Sequence, residues 1–244
     1  LYLVDEAGHN WMRNGDYRLN QAGVDATEII ANFITGQDWI ILPEFDAEEL
    51  TPRTWRTYVP TSYDSAVPMP LVVLLHGRPG TGVGMALISD MNRIAEENGF
   101  IAVYPDGMND SLPPNQGGEW NYVRDIAIFV SYIERDDTQF LVDMVADISQ
   151  DLNVDQSRLY LTGFSNGGFM TQRVACEASD AFAAFAPVGA TLFPGLETLC
   201  IEQETGTLPI MLMHGTEDVS IPWEGSQRAG PGGQMVFYTS PAVT

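Results

Sequence analysis

Leu159-Tyr160-Leu161-Thr162-Gly163-Phe164-Ser165-Asn166-Gly167-Gly168 decides how this chain reads. Four strand-forming residues run into a glycine, a serine and two more glycines, and a helical pattern follows as far as Glu177. A strand that turns abruptly into a helix needs minimal side chains two positions before and after the turning residue, and Gly163 and Gly167 supply them. The turn lifts the Ser165 hydroxyl onto the N-terminus of the helix, where backbone N–H groups favour developing negative charge. A lone Gly-x-Ser-x-Gly is a weak signal; the strand before it and the helix after it make Ser165 a candidate nucleophile.

Working outward, strand-like runs recur at Leu1–Val4, Arg56–Val59, Leu71–Leu75, Phe100–Tyr104, Leu159–Thr162, Ile210–Met213 and Met235–Tyr238. Several are continuously apolar, as expected for strands covered on both faces. Between them lie amphipathic helices. Phe140, Leu141, Met144, Val145, Ile148 and Leu152 share one helical face, with Asp136 or Asp137 as the cap. Asp25-Ala26-Thr27-Glu28 opens a second helix as a capping box, with Ile29, Ile30, Phe33 and Ile34 turned inward and Gly36 at its end. Strands alternating with helices predict a mostly parallel central sheet with helices on both faces, in one domain over residues 1–244. Residues 37–54 read as a connector, and the Pro- and Gly-rich stretch Leu112–Gly118 as a long loop bordering the ligand site.

Composition narrows the function. With 45% hydrophobic and 10% aromatic residues the chain is globular, and no apolar run is long enough to span a bilayer. No basic start followed by an apolar stretch marks a leader peptide. A net charge of −22 argues against nucleic acid or an anionic membrane as partner and suits solubility in a salty or extracellular setting. Cys176 and Cys200 have no metal-site spacing. Oxidised, they would close one loop and contribute about 3–4 kcal/mol; reduced, they would be buried thiols.

Two further strand ends carry candidate chemistry. His76-Gly77-Arg78 runs into Pro79-Gly80-Thr81-Gly82, a turn able to aim the Arg78 N–H at a substrate carbonyl oxygen beside the N–H of Asn166. A phosphate loop is excluded because no Gly-Lys-Ser/Thr follows. His214-Gly215-Thr216-Glu217-Asp218 ends another apolar run, where a serine hydrolase of the α/β-hydrolase fold keeps its acid, and Asp218 fits that role with Glu217 as the fallback. Chain order in that fold is Ser, Asp, His, yet no histidine follows Asp218. His76 and His214 belong to the strand-end turns and read as structural, and His9, near the start of the chain, reads on its own as an ordinary surface residue.

From Arg56 to Gly225 the chain resembles the polyhydroxybutyrate-depolymerase-like esterases, a group with the feruloyl and acetyl-xylan esterases. The resemblance rests on Pro70–Gly77, on Tyr104-Pro105-Asp106-Gly107, on Asp155–Gly168, on Phe182–Val188 and on His214–Asp218. In that family the chain continues past the acid to a strand ending in Gly-His-x-Trp and a closing helix. Here Leu1–Trp11, with Gly8-His9-Asn10-Trp11, resembles that strand, and Asp25–Ile34 resembles that helix. The resemblance therefore implies a circularly permuted α/β-hydrolase, with residues 1–36 as the family's C-terminal end. Such an order would arise in a natural or engineered permutant, in a piece of tandem domains or in an incomplete record. The family also carries a helix between the acid and that strand; part of it, expected between Val243 and Leu1, is absent here, which should leave apolar sheet surface exposed or covered by a partner chain.

The expectation is a serine carboxylic ester hydrolase with catalytic Ser165, His9 and Asp218, oxyanion donors Asn166 and Arg78, and neither metal nor organic cofactor. Trp11, Trp120 and Trp223 are candidates to line the substrate cleft. The resemblance implies a secreted feruloyl or acetyl-xylan type of esterase acting on small or polymer-linked esters. Polyester depolymerisation is the alternative, and a catalytically inactive binding module is the alternative of another class.

Overall fold

Continuously apolar runs become the centre of a sheet. The computed structural model describes residues 53–108, 117–122, 136–193, 195–202, 207–223, 225–229 and 235–238. The expected strand Leu1–Val4, the helix Asp25–Ile34, His9, Trp11 and the connector as far as Pro52 lie outside the described residues.

The sheet contains β1 (Trp55–Tyr58), β2 (Met69–Leu75), β3 (Ile101–Pro105), β4 (Val154–Phe164) and β5 (Ala184–Val188), in the order β1-β3-β2-β4-β5. β1 runs antiparallel to β3 at one edge, and every other pair is parallel. Between strands run α1 (Gly82–Ser89), α2 (Met91–Asn98), α3 (Asp137–Asp151), α4 (Asn166–Glu177) and α5 (Leu196–Glu202). Sheet and helices form the α/β-hydrolase architecture expected from the elbow.

Alternate residues of the strands serve the two faces. Leu71, Val73, Ile101, Val103, Leu159 and Leu161 pack against Leu141, Met144, Val145 and Ile148 of α3 and against Met170 and Val174 of α4. Each such fully buried side chain contributes about 1.5–3 kcal/mol. Leu74, Ala102 and Tyr104 meet Met85 of α1 and Ala95 of α2 on the opposite face. The expected face of α3 is confirmed, and Asp136 caps it by accepting the Gln139 N–H at 2.9 Å.

Three elements differ from the expectation. Ile210–Met213 makes only isolated parallel bridges, Phe185↔Ile210 and Val188↔Met213, alongside β5. β5 itself was not among the expected strands, because small residues and Pro187 interrupt its apolar run. Ser226–Ala229 (β6) pairs antiparallel with the expected Met235–Tyr238 (β7). Apolar surface is uncovered where the sheet continues past β4 and β5: Phe164, Ile210, Met211 and Met213 are all exposed.

Cys176 and Cys200 are bonded to each other and join α4 to α5. Among the described residues no helix is long and apolar enough to cross a membrane.

Candidate active site

Ser165 turns the chain from β4 into α4 with φ 54° and ψ −115°, a conformation that side chains other than glycine rarely adopt. Its N–H donates to the Val188 carbonyl at 2.9 Å, and its own carbonyl accepts the Phe169 N–H at 3.0 Å. Both flanking glycines are sterically required. A Cβ on Gly163 would lie 2.3 Å from the Gly167 oxygen, and one on Gly167 would lie 2.6 Å from the His76 and Leu75 oxygens. The elbow read from the sequence is present.

β2 and β4 are in register at Leu75↔Gly163, so the turn after β2 arrives beside the nucleophile. A Cβ on Gly77 would stand 3.4 Å from the Ser165 Cβ. The two proposed oxyanion turns are therefore neighbours. Asn166 opens α4, where an N–H has no acceptor within the helix.

His76 has the structural role expected of it. Its ring is buried, Nε2 accepts the Gly107 N–H at 2.8 Å, and Nδ1 lies 2.8 Å from the Gly77 carbonyl. These partners fix the neutral tautomer with its proton on Nδ1. Burial holds the imidazole pKa below its usual value, with the Gly77 hydrogen bond opposing.

The third turn lies across β5. Gly189 N–H donates to the Met213 carbonyl at 2.9 Å, and His214 follows. The His214 ring is buried, its Nε2 donates to the Ile221 carbonyl at 2.6 Å, and Trp223 packs 5.7 Å from it. His214 thus also serves the turn. Asp218 Oδ1 accepts the N–H groups of Ser220 and Ile221, both at 2.8 Å. Its Oδ2 lies 3.7 Å from His214 Nε2 and accepts no hydrogen bond among the described residues. One carboxylate oxygen is thus locked by the turn. Glu217 is exposed.

Trp120 needs correction. Expected along the cleft, it is 2% exposed and belongs to the core. Its indole N–H donates to the buried His76 carbonyl at 3.0 Å, which draws the ring inward. Its backbone meets the Asn166 side chain twice, at 2.7 and 3.1 Å. Trp223 is half-buried beside His214. His9 and Trp11 lie outside the described residues.

Two residues that sequence reasoning missed touch the turn after β2. Phe164 is exposed, with its ring between Gly77 and Gly189. Glu119, almost fully buried, pairs with Arg78. Neither has a periodic or motif signature; only the pairing of distant loops places them.

Known proteins place the whole. A bifunctional acetylxylan esterase/xylanase of Neocallimastix patriciarum is 26% identical over 72% of this chain and 23% of its own length. Feruloyl esterase B of Neurospora crassa is 30% identical over 66% of this chain and 53% of its own. The chain thus spans from about a quarter to half the length of these relatives. A solved thermostable esterase shares the fold, with a TM-score of 0.53 and 23% identity over 73% of this chain and 47% of that one. Residues 63–232 match the family described as Phospholipase/Carboxylesterase, and the chain belongs to that family of α/β-hydrolases.

Proposed function

We propose that this chain is a serine carboxylic ester hydrolase, and the elbow at Ser165 beside the Gly77–Arg78 turn is the observation that carries the reading. Ser165 Oγ attacks the ester carbonyl while His9 Nε2 takes its proton. The carbonyl π pair moves onto oxygen, held by the N–H groups of Asn166 and Arg78. His9 returns the proton to the departing alkoxide as the C–O bond breaks, leaving Ser165 acylated. Water, deprotonated by His9, then releases the acid and restores Ser165. Asp218 orients His9 through Nδ1–H, a role supported by the hold of the Ser220 and Ile221 N–H groups on its Oδ1.

In this reading residues 1–36 are the permuted end of the fold and supply the base from upstream. Trp11 and Trp223 line the cleft. The substrate is a ferulate or acetate ester, free or on a plant polysaccharide; the names of the relatives support that class. The acidic surface and the Cys176–Cys200 bond support an extracellular setting.

Hydrolysis of p-nitrophenyl acetate and methyl ferulate by wild type, Ser165→Ala and His9→Ala tests this. Both variants should lose at least about 1,000-fold in kcat. Wild-type turnover in His9→Ala would refute the permuted triad while leaving the nucleophile in place. Refusal of ferulate alone would remove the aromatic acyl group from the substrate class.

A further inference from the structure

We propose that Glu119 and Trp120 are positioning residues for the oxyanion hole, because the strap Gly117–Asn121 ties its two donor-bearing turns to each other. The proposal rests on the ester-hydrolase reading above. Arg78 lies on the turn after β2 and Asn166 on the turn after β4, far apart in sequence. An oxyanion is held only when both N–H groups lie about 2.7–3.1 Å from one oxygen. Their spacing is therefore a tertiary property, and some element must set it.

The strap reaches both turns through successive residues. Gly118 exchanges backbone hydrogen bonds with Gly80, at 2.7 and 3.2 Å. The Glu119 carboxylate pairs with the Arg78 guanidinium, while its N–H donates to the Met108 carbonyl at 2.7 Å. Trp120 holds the other turn: its N–H donates to Asn166 Oδ1 and its carbonyl accepts from Asn166 Nδ2. The same residue returns to the first turn, where its indole N–H donates to the His76 carbonyl.

Asn121 anchors the strap behind these contacts. Its N–H donates to Asp137 Oδ2 at 2.7 Å, and its carbonyl accepts from Arg173 Nη1 at 2.5 Å. Asp137 and Arg173 are both buried, on α3 and α4. A strap that merely filled space would need its apolar ring and little else. Here four consecutive residues direct polar groups onto the two turns or onto the helices behind them. The arrangement is a rigid splint across the hole.

The test uses Trp120→Phe, which keeps a ring and deletes the indole donor, and Glu119→Gln, which keeps the shape and removes the charge. The readouts are kcat and KM for p-nitrophenyl acetate and the inhibition constant of phenylboronic acid, which mimics the tetrahedral oxyanion. Each variant should lose about 10- to 100-fold in kcat with KM within about two-fold of wild type. The boronate inhibition constant should rise by the same factor. Should Trp120→Phe not fold, Glu119→Gln decides alone. Wild-type kcat and boronate affinity would overturn the strap's role, as would a kcat loss with boronate affinity unchanged. If wild type shows no turnover, or Ser165→Ala retains it, the ester-hydrolase reading fails and takes the strap with it. A dead Ser165→Ala beside strap variants of wild-type rate removes the strap alone.

Discussion

The Asn166 side chain meets the Trp120 backbone edge to edge, accepting its N–H at 2.7 Å and donating to its carbonyl at 3.1 Å. The amide imitates one rung of a sheet between two loops that are not strands. Asn166→Ala should strand a buried donor and a buried acceptor, at about 1–3 kcal/mol each. Asn166→Asp should be worse than alanine, because a carboxylate would oppose the Trp120 carbonyl. Urea denaturation monitored by Trp fluorescence orders the three proteins; an aspartate variant as stable as wild type contradicts the pairing.

Gly167→Ala should abolish the proposed ester hydrolysis without emptying the core. Its new Cβ would sit 2.6 Å from two backbone oxygens of the β2 end, so the elbow and the oxyanion turn must part. Overpacking of this kind costs about 1–3 kcal/mol, and Tm should fall by several degrees. Turnover should drop more than a hundred-fold, measured against p-nitrophenyl acetate.

His76 should stay neutral at pH values where an ordinary histidine has gained its proton. Its folded pKa is depressed by burial, so below about pH 6.5 the unfolded chain binds the extra proton more readily than the folded one. The stability contributed by the neutral ring is fully present above that pH and declines as pH falls toward the folded value. Nitrogen-detected NMR of labelled histidine should show a His76 signal in the Nδ1–H form from pH 7.5 down to pH 6. A ring that titrates near 6.5 rules this out.

Arg173 is buried against Glu177, with contacts of 2.8 and 3.1 Å, and also binds the Asn121 carbonyl. Arg173→Ala leaves the carboxylate of Glu177 without this partner in a buried place, an error that typically costs about 3–5 kcal/mol. The double variant Arg173→Met with Glu177→Leu should recover much of that loss. Chemical denaturation of the two proteins gives the comparison.

Cys176→Ser with Cys200→Ser should destabilise the fold by about 3–4 kcal/mol through the freed 24-residue separation. Turnover at 25 °C should be retained, because the bond lies at the far end of α4 from Ser165. Dithiothreitol on the wild type should reproduce the shift in Tm.

The strands β2, β3 and β4 were legible because continuous apolar runs bounded by turn residues have few other uses. β5 was not, since Ala184, Ala186 and Pro187 carry little strand signal and it forms by pairing with β4. At the site, Gly163, Ser165 and Gly167 announce their geometry locally, through steric need. Glu119 and Phe164 do not, because their neighbours come from distant loops and no spacing encodes that meeting. Trp120 was misread for a related cause: tryptophan suits a wet cleft and a dry core equally, and only the His76 carbonyl decides between them.

Ser165 occupies a backbone state that glycine enters freely and serine enters at a cost of about 1–3 kcal/mol. Random libraries of this chain sorted on thermal resistance alone should therefore enrich Gly at position 165 and drift toward well-folded proteins without chemistry. Directed evolution for durability here has to select on turnover in every round, because the most relaxed version of this turn has no hydroxyl.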